Sequence, residues 1–156
     1  MKPINLILGL LSVPIFAYDG VPAALVGTWG AGNVSSTIFQ DQRTGSYSAP
    51  SGTQVQYRFF PNGRYEYAAL TTQSMYSCTT RFSTYKTGVA VYQGDVLTLI
   101  PETSKFTSED NCNAKYNYQK PAGMNRETYR WHVERDEYGV KMCLQGEGVN
   151  GCAYKR

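Results

Sequence analysis

Few residues in this 156-residue chain have the types and spacing that do chemistry. It has four cysteines, Cys78, Cys112, Cys143 and Cys152, all after residue 77, and a single histidine, His132. No C-x-x-C pair occurs, and one imidazole cannot complete a zinc-type ligand set, so no metal is expected. The carboxylates Glu102, Glu109 and Asp110 lack the partner spacing of a glycosidase acid pair. Asp95 follows Gly94 and reads as a turn residue. No serine elbow, Cys/His pair, phosphate-binding loop or dinucleotide fingerprint is present. His132 alternates with Trp131 and falls on the polar side of its strand, as a surface imidazole. The expectation is a chain without enzymatic activity and without a cofactor.

The cysteines then read as structural. Four of them fit two disulfides in an oxidising compartment. The N-terminus agrees: in MKPINLILGLLSVPIFA, residues 1–17, Lys2 gives a positive start, Ile4 to Phe16 is mostly apolar, and Ala17 is a small residue at a cleavage position. That is the pattern of a secretory signal peptide and is too short to span a bilayer, which takes about 20 apolar residues. Residues 18–156 are expected to form one domain, secreted and without a membrane anchor. The net charge of +3 is small and scattered, with no basic block, which argues against nucleic acid as a partner. Asn33-Val34-Ser35 is a glycosylation sequon for a host that has the machinery.

The elements that must position these residues read as short alternating strands, and 13 tyrosines strengthen that reading. Three hairpins can be placed in register. In TQVQYRFFPNGRYEYAAL, a Pro61-Asn62-Gly63 loop pairs Phe59 with Tyr65, Tyr57 with Tyr67, Val55 with Ala69 and, on the other face, Arg58 with Glu66. In TGVAVYQGDVLTLIP, a Gln93-Gly94 turn pairs Val91 with Val96 and Val89 with Thr98, and Pro101 ends the strand. In GVKMCLQGEGVNGCAYKR, a Glu147-Gly148 turn sets Cys143 opposite Cys152 in a non-hydrogen-bonded pair, where Cα atoms lie about 4.5 Å apart and a disulfide fits. The alternative Asn150-Gly151 turn leaves almost no second strand. Joining Cys143 to Cys152 leaves Cys78 for Cys112. ETYRWHVE adds a strand with Tyr129, Trp131 and Val133 on one face. Residues 31–52 read as a weak strand plus a long loop, and residues 103–126 as polar and ambiguous. The sum is an all-β, antiparallel meander β-barrel of roughly eight strands with two disulfides.

Gly27-Thr28-Trp29 is a G-x-W at the start of the first of these strands. On that motif and the strand count the chain resembles the lipocalins and the wider calycin group. The resemblance implies a lipocalin-like barrel in which Trp29 plugs the closed end under a basic side chain, Lys155 or Arg156. A looser resemblance rests on LVGTW, YRFFPNGRYEYA, Cys78, Gly88, LTLIP, Cys112 and the closing strand pair. It points to a fungal endoplasmic-reticulum chaperone family linked to cell-wall glucan synthesis. A barrel of about eight strands has room for side chains or one small ligand. The leading expectation is therefore binding of a small apolar or amphipathic molecule between Tyr57, Phe59, Tyr65, Tyr67, Tyr129 and Trp131, with the 31–52 loop at the open mouth. The alternative is an inhibitor, effector, chaperone-like or cell-wall-associated protein that works through its outer surface on an extracellular or cell-wall partner.

Overall fold

Residues that alternate apolar with polar must build strands with one buried face, and the computed structural model pairs them so; it describes residues 20–34, 43, 51–75 and 77–156. The strands are β1 Gly27–Val34, β2 Gly52–Phe59, β3 Arg64–Met75, β4 Cys78–Gln93, β5 Val96–Asp110, β6 Tyr118–Pro121, β7 Glu127–Asp136, β8 Gly139–Gly146 and β9 Val149–Lys155. A single 3₁₀ turn, Ala114–Tyr116, sits between β5 and β6. The signal-like residues 1–17, Ser35 of the sequon and most of the 31–52 loop lie outside the described residues. Asn33 itself falls within β1, opposite Thr53.

All pairings are antiparallel, in the order β4-β3-β2-β1-β9-β8-β7-β5-β6, and β4 pairs in addition with β5. The expected eight-stranded, lipocalin-like meander barrel is corrected to this nine-stranded sheet, whose order is not that of a simple meander. The sheet forks at β5. One side of β5 is taken by β4. The other side is shared between β7, at Val96 to Leu99, and β6, at Lys105 to Ser108. Pro101 lies between those two stretches and has no N–H to offer a ladder.

Pro101 was expected to end its strand, yet β5 runs through it to Asp110. A bulge lets it pass: Gly88 faces Pro101 while the next pair is Thr87 with Thr103, so Glu102 is the extra residue. The backbones close in tightly there. A Cβ on Gly88 would stand 2.0 Å from the Ile100 carbonyl oxygen, so only glycine fits.

The first hairpin has the expected register, with Phe59 opposite Tyr65, Tyr57 opposite Tyr67 and Arg58 opposite Glu66. Its turn places Gly63 at φ +81° and closes with the Gly63 N–H donating to the Phe60 carbonyl at 3.1 Å. The closing hairpin also pairs as read, with Gly146 opposite Val149 and Cys143 opposite Cys152. Disulfides join Cys78 to Cys112 and Cys143 to Cys152, with Cα separations of 5.4 and 4.0 Å.

The second hairpin differs from its expected register. Its turn is Gly94-Asp95, which pairs Gln93 with Val96, Tyr92 with Leu97 and Val91 with Thr98. The expected turn would have set Tyr92 against the Asp95 carboxylate. The observed one puts Tyr92 against Leu97 and Ala90 against Leu99, and all four are buried. Both registers keep these four residues on one face, and the observed one moves Asp95 off that face into the turn.

One sheet face gathers the core. Leu25, Trp29, Tyr57, Phe59, Tyr65, Ala90, Tyr92, Leu97, Leu99, Tyr129, Met142, Leu144 and Ala153 form a single cluster, to which every strand except β6 contributes. Strands β3, β4 and β5 run on past this core as a long extension, to which β6 adds an edge. The Cys78–Cys112 bridge clasps its tip, where the Thr79 N–H donates to Asn111 Oδ1 at 2.6 Å and the Asn111 amide donates to the Ser77 carbonyl at 3.1 Å.

Candidate binding face

Of the six residues expected to line a ligand cavity, four are core. Tyr57, Phe59, Tyr65 and Tyr129 are 7, 1, 2 and 5 % exposed, while Tyr67 and Trp131 are half-buried. Their rings pack on one another. Tyr57 stands 6.2 Å from Phe59 and 5.0 Å from Tyr67, and Tyr92 bridges Phe59 to Trp131 at 6.4 and 6.2 Å. The Trp131 indole N–H donates to the Gly94 carbonyl at 3.2 Å. The space left beside this cluster is an open cleft of about 200 Å³ bordered by Ala31, Val55, Tyr57, Tyr67, Met142, Leu144 and Val149. Small-molecule pockets usually occupy ~300–1,000 Å³ and enclose most of the ligand. The reading of these six residues as the walls of a ligand chamber is corrected: the aromatic side chains fill the space themselves.

A charged group closes this aromatic cluster on one side. Glu127 accepts from the Tyr129 hydroxyl at 2.9 Å and pairs with Lys86, whose ammonium lies 5.5 Å from the centre of the Tyr67 ring. Burial, more than these neighbours, pushes the Tyr57, Tyr92 and Tyr129 phenols well above their usual value and Tyr65 up to about 12. In the unfolded chain the same phenols ionise near pH 10. Their folded values are raised, so the stability they contribute is complete below pH 10 and drains away as pH climbs toward the folded values. An alkaline titration followed at 295 nm should show a class of tyrosines that stays silent near pH 10 and then ionises together with loss of the near-ultraviolet dichroism. Titration of all 13 tyrosines near pH 10 with the dichroism intact would contradict this packing.

Trp29 lies in the same core. It is fully buried, its indole N–H donates to the Leu25 carbonyl at 2.8 Å, and the Lys155 ammonium sits 5.4 Å from the ring centre. Register accounts for the contact, because Trp29 faces Lys155 across β1 and β9. Arg156 goes elsewhere. Its backbone N–H donates to the Thr28 carbonyl at 2.9 Å, and its side chain crosses Gly30 in the space a Cβ would need.

The extension beyond the core carries a second aromatic group. In its register Phe82 faces Ser108, Thr84 faces Phe106, Phe106 faces Lys120 and Ser108 faces Tyr118. Phe82, Phe106 and Tyr118 therefore share one face and form a row across three strands, with ring centres 6.2 and 6.1 Å apart. Lys120 stands over two of them, 5.5 Å from Phe106 and 5.7 Å from Tyr118. Phe82 and Phe106 are half-buried, and Tyr118 and Lys120 are exposed. Around the row the same face carries Thr84 and Thr71, the Thr71 hydroxyl lying 3.2 Å from that of Thr53, while the Ser104 hydroxyl is buried. Sequence reasoning missed this set because residues 103–126 read as polar. The usable signal was the period-two spacing of Phe106 with Ser104 and Ser108, and of Tyr118 with Lys120.

On the opposite sheet face, His132 lies across from Cys143, and Glu134 across from Lys141. The donor atoms of His132, Glu134 and Cys143 fall within 4.8 Å of one another. The Cys143 sulfur is bonded to Cys152, which leaves only the His132 and Glu134 side chains as donors there. Lys141 joins Glu134 at 3.0 Å and Asp136 at 3.1 Å, and Asp136 also accepts from the Tyr154 hydroxyl at 2.9 Å.

Comparison with known protein families, curated proteins and solved structures finds no match to this chain. The resemblances to the lipocalin and calycin group and to the fungal chaperone family are corrected accordingly.

Proposed function

We propose that this chain is an exported, non-catalytic recognition domain that binds a cell-wall-type polysaccharide on the Phe82–Phe106–Tyr118 face. The observation that carries the reading is the row of three aromatic rings under Lys120, set outside the core. Apolar area left in water forfeits about 25 cal/mol per Å², and aromatic residues gathered on a surface are characteristic of partner sites. Sugars fit the chemistry. The C–H face of a pyranose is apolar and lies on a ring, while its edge of hydroxyls needs small polar partners such as Thr71 and Thr84. A chain of sugars matches a row of rings better than a single ligand does. Export draws support from the signal-like residues 1–17 and from the two disulfides. No helix among the described residues is long and apolar enough to cross a membrane.

The test is depletion of the purified protein by insoluble β-glucan, chitin and cellulose. One of them should retain it. Phe106→Ala and Tyr118→Ala should each weaken retention about tenfold, or 1.4 kcal/mol, with melting curves confirming that the variants fold. A protein that none of the three retains, or folded variants that bind like the parent, would overturn the proposal. So would capture of an extracellular protein by this face with all three polysaccharides excluded.

A further inference from the structure

We infer that the Cys143–Cys152 bridge is a site of thiol–disulfide exchange, at which an external thiol is captured on Cys152 while His132 returns the proton to Cys143. Four observations meet here. The bridge lies on the sheet face away from the core, between β8 and β9, with Cys152 exposed and Cys143 only 7 % exposed. An open groove of about 320 Å³ leads to it, lined by His132, Glu134, Gln145, Asn150, Gly151 and the two cysteines. His132, the only histidine in the chain, faces Cys143 directly across the β7–β8 ladder. Its ring nitrogen lies within 4.8 Å of the Cys143 sulfur, its Nε2 stands 3.9 Å from a Glu134 carboxylate oxygen, and its side chain is 63 % exposed.

The asymmetry of exposure sets the direction of attack. The thiolate of R–SH attacks the sulfur of the exposed residue Cys152 and forms a new S–S bond. The Cys143–Cys152 bond breaks, and its electron pair leaves on the Cys143 sulfur. The proton lost by R–SH passes through the imidazole, which is suited to proton transfer near neutral pH, to that sulfur. The products are Cys152–S–S–R and Cys143–SH. The exchange consumes one thiol and needs no other oxidant or reductant. Glu134 brings a negative charge to the site, and Lys141 at 3.0 Å offsets it.

The other bridge lacks this machinery. Cys112 is exposed too, so exposure alone does not choose between the two. Its neighbour is Asp110, whose carboxylate accepts from the N–H groups of Cys112 and Asn113, both at 2.8 Å. The Thr80 hydroxyl and those two N–H groups hold the Asp110 carboxyl below its usual range. A fixed negative charge repels an incoming thiolate and disfavours a departing one.

The experiment treats the intact oxidised protein with graded reduced glutathione, quenches with acid, and maps the peptides. The expected result is glutathione on Cys152, a free thiol on Cys143 and an intact Cys78–Cys112 bridge. His132→Ala should slow adduct formation about tenfold or more, and added imidazole should restore the rate, which a merely structural role for His132 would not permit. Adducts first on Cys78 or Cys112, adducts on Cys143, or an unchanged rate in His132→Ala would overturn the inference.

Discussion

Trp29→Ala should remove about 3–5 kcal/mol of stability, the cost of a large-to-small change in a packed core. No part of Trp29 reaches solvent, so the cavity has no route to collapse except by moving strands. The substitution also takes the donor from the Leu25 carbonyl and the ring from under Lys155. Small domains hold only ~5–15 kcal/mol in total, so the variant should be partly unfolded at physiological temperature. Trp29→Phe separates the contributions. It keeps most of the apolar volume but loses the indole N–H and weakens the cation contact, for about 1–2 kcal/mol. Urea unfolding followed by circular dichroism measures both. An alanine variant with the parental midpoint would mean that the indole is not packed as described.

Opening the Cys78–Cys112 bridge by a double serine substitution should cost about 4 kcal/mol, and opening Cys143–Cys152 about 3 kcal/mol, from the loop-length dependence of chain entropy. The bridges span 34 and 9 residues, and the longer loop restricts the unfolded chain more. The native state adds a reason of its own. The tip of the extension adds no residue to the core cluster, so the bridge and the Asn111 hydrogen bonds tie β4 to the segment after β5. Loss of the Cys78–Cys112 bridge should therefore also loosen the Phe82–Phe106–Tyr118 row and weaken polysaccharide retention. Loss of the terminal bridge should leave retention unchanged. Equal destabilisation by the two double variants, with retention untouched in both, would refute this division of labour.

Local instructions were legible in the chain, and the reason is range. The first hairpin is written in Pro61-Asn62-Gly63 and in the match of Arg58 with Glu66. The closing hairpin is written in Glu147-Gly148, and it carried the pairing of all four cysteines with it. Each is settled by a turn and the residues within ten positions of it. Where two turns were available around Gly94, the local signal failed, because burial of Tyr92 against Leu97 is a property of the assembled core. Everything that depends on strands distant in sequence was decided by tertiary structure. Alternation says which face of a strand is buried but never which strand lies beside it. So the fork of β5 between β6 and β7 and the bulge that carries Pro101 through arose only on assembly, and assembly set Lys155 rather than Arg156 beside Trp29. The same holds for the pairing of Lys86 with Glu127, 41 residues away. Phe82, Phe106 and Tyr118 come from three strands, and His132 meets Cys143 only through the β7–β8 ladder. Tyr57, Tyr65 and Tyr129 face inward. That they fill the interior instead of lining a chamber follows from the volume of thirteen packed side chains, Leu25 and twelve from every strand but β6, and no single strand encodes that quantity.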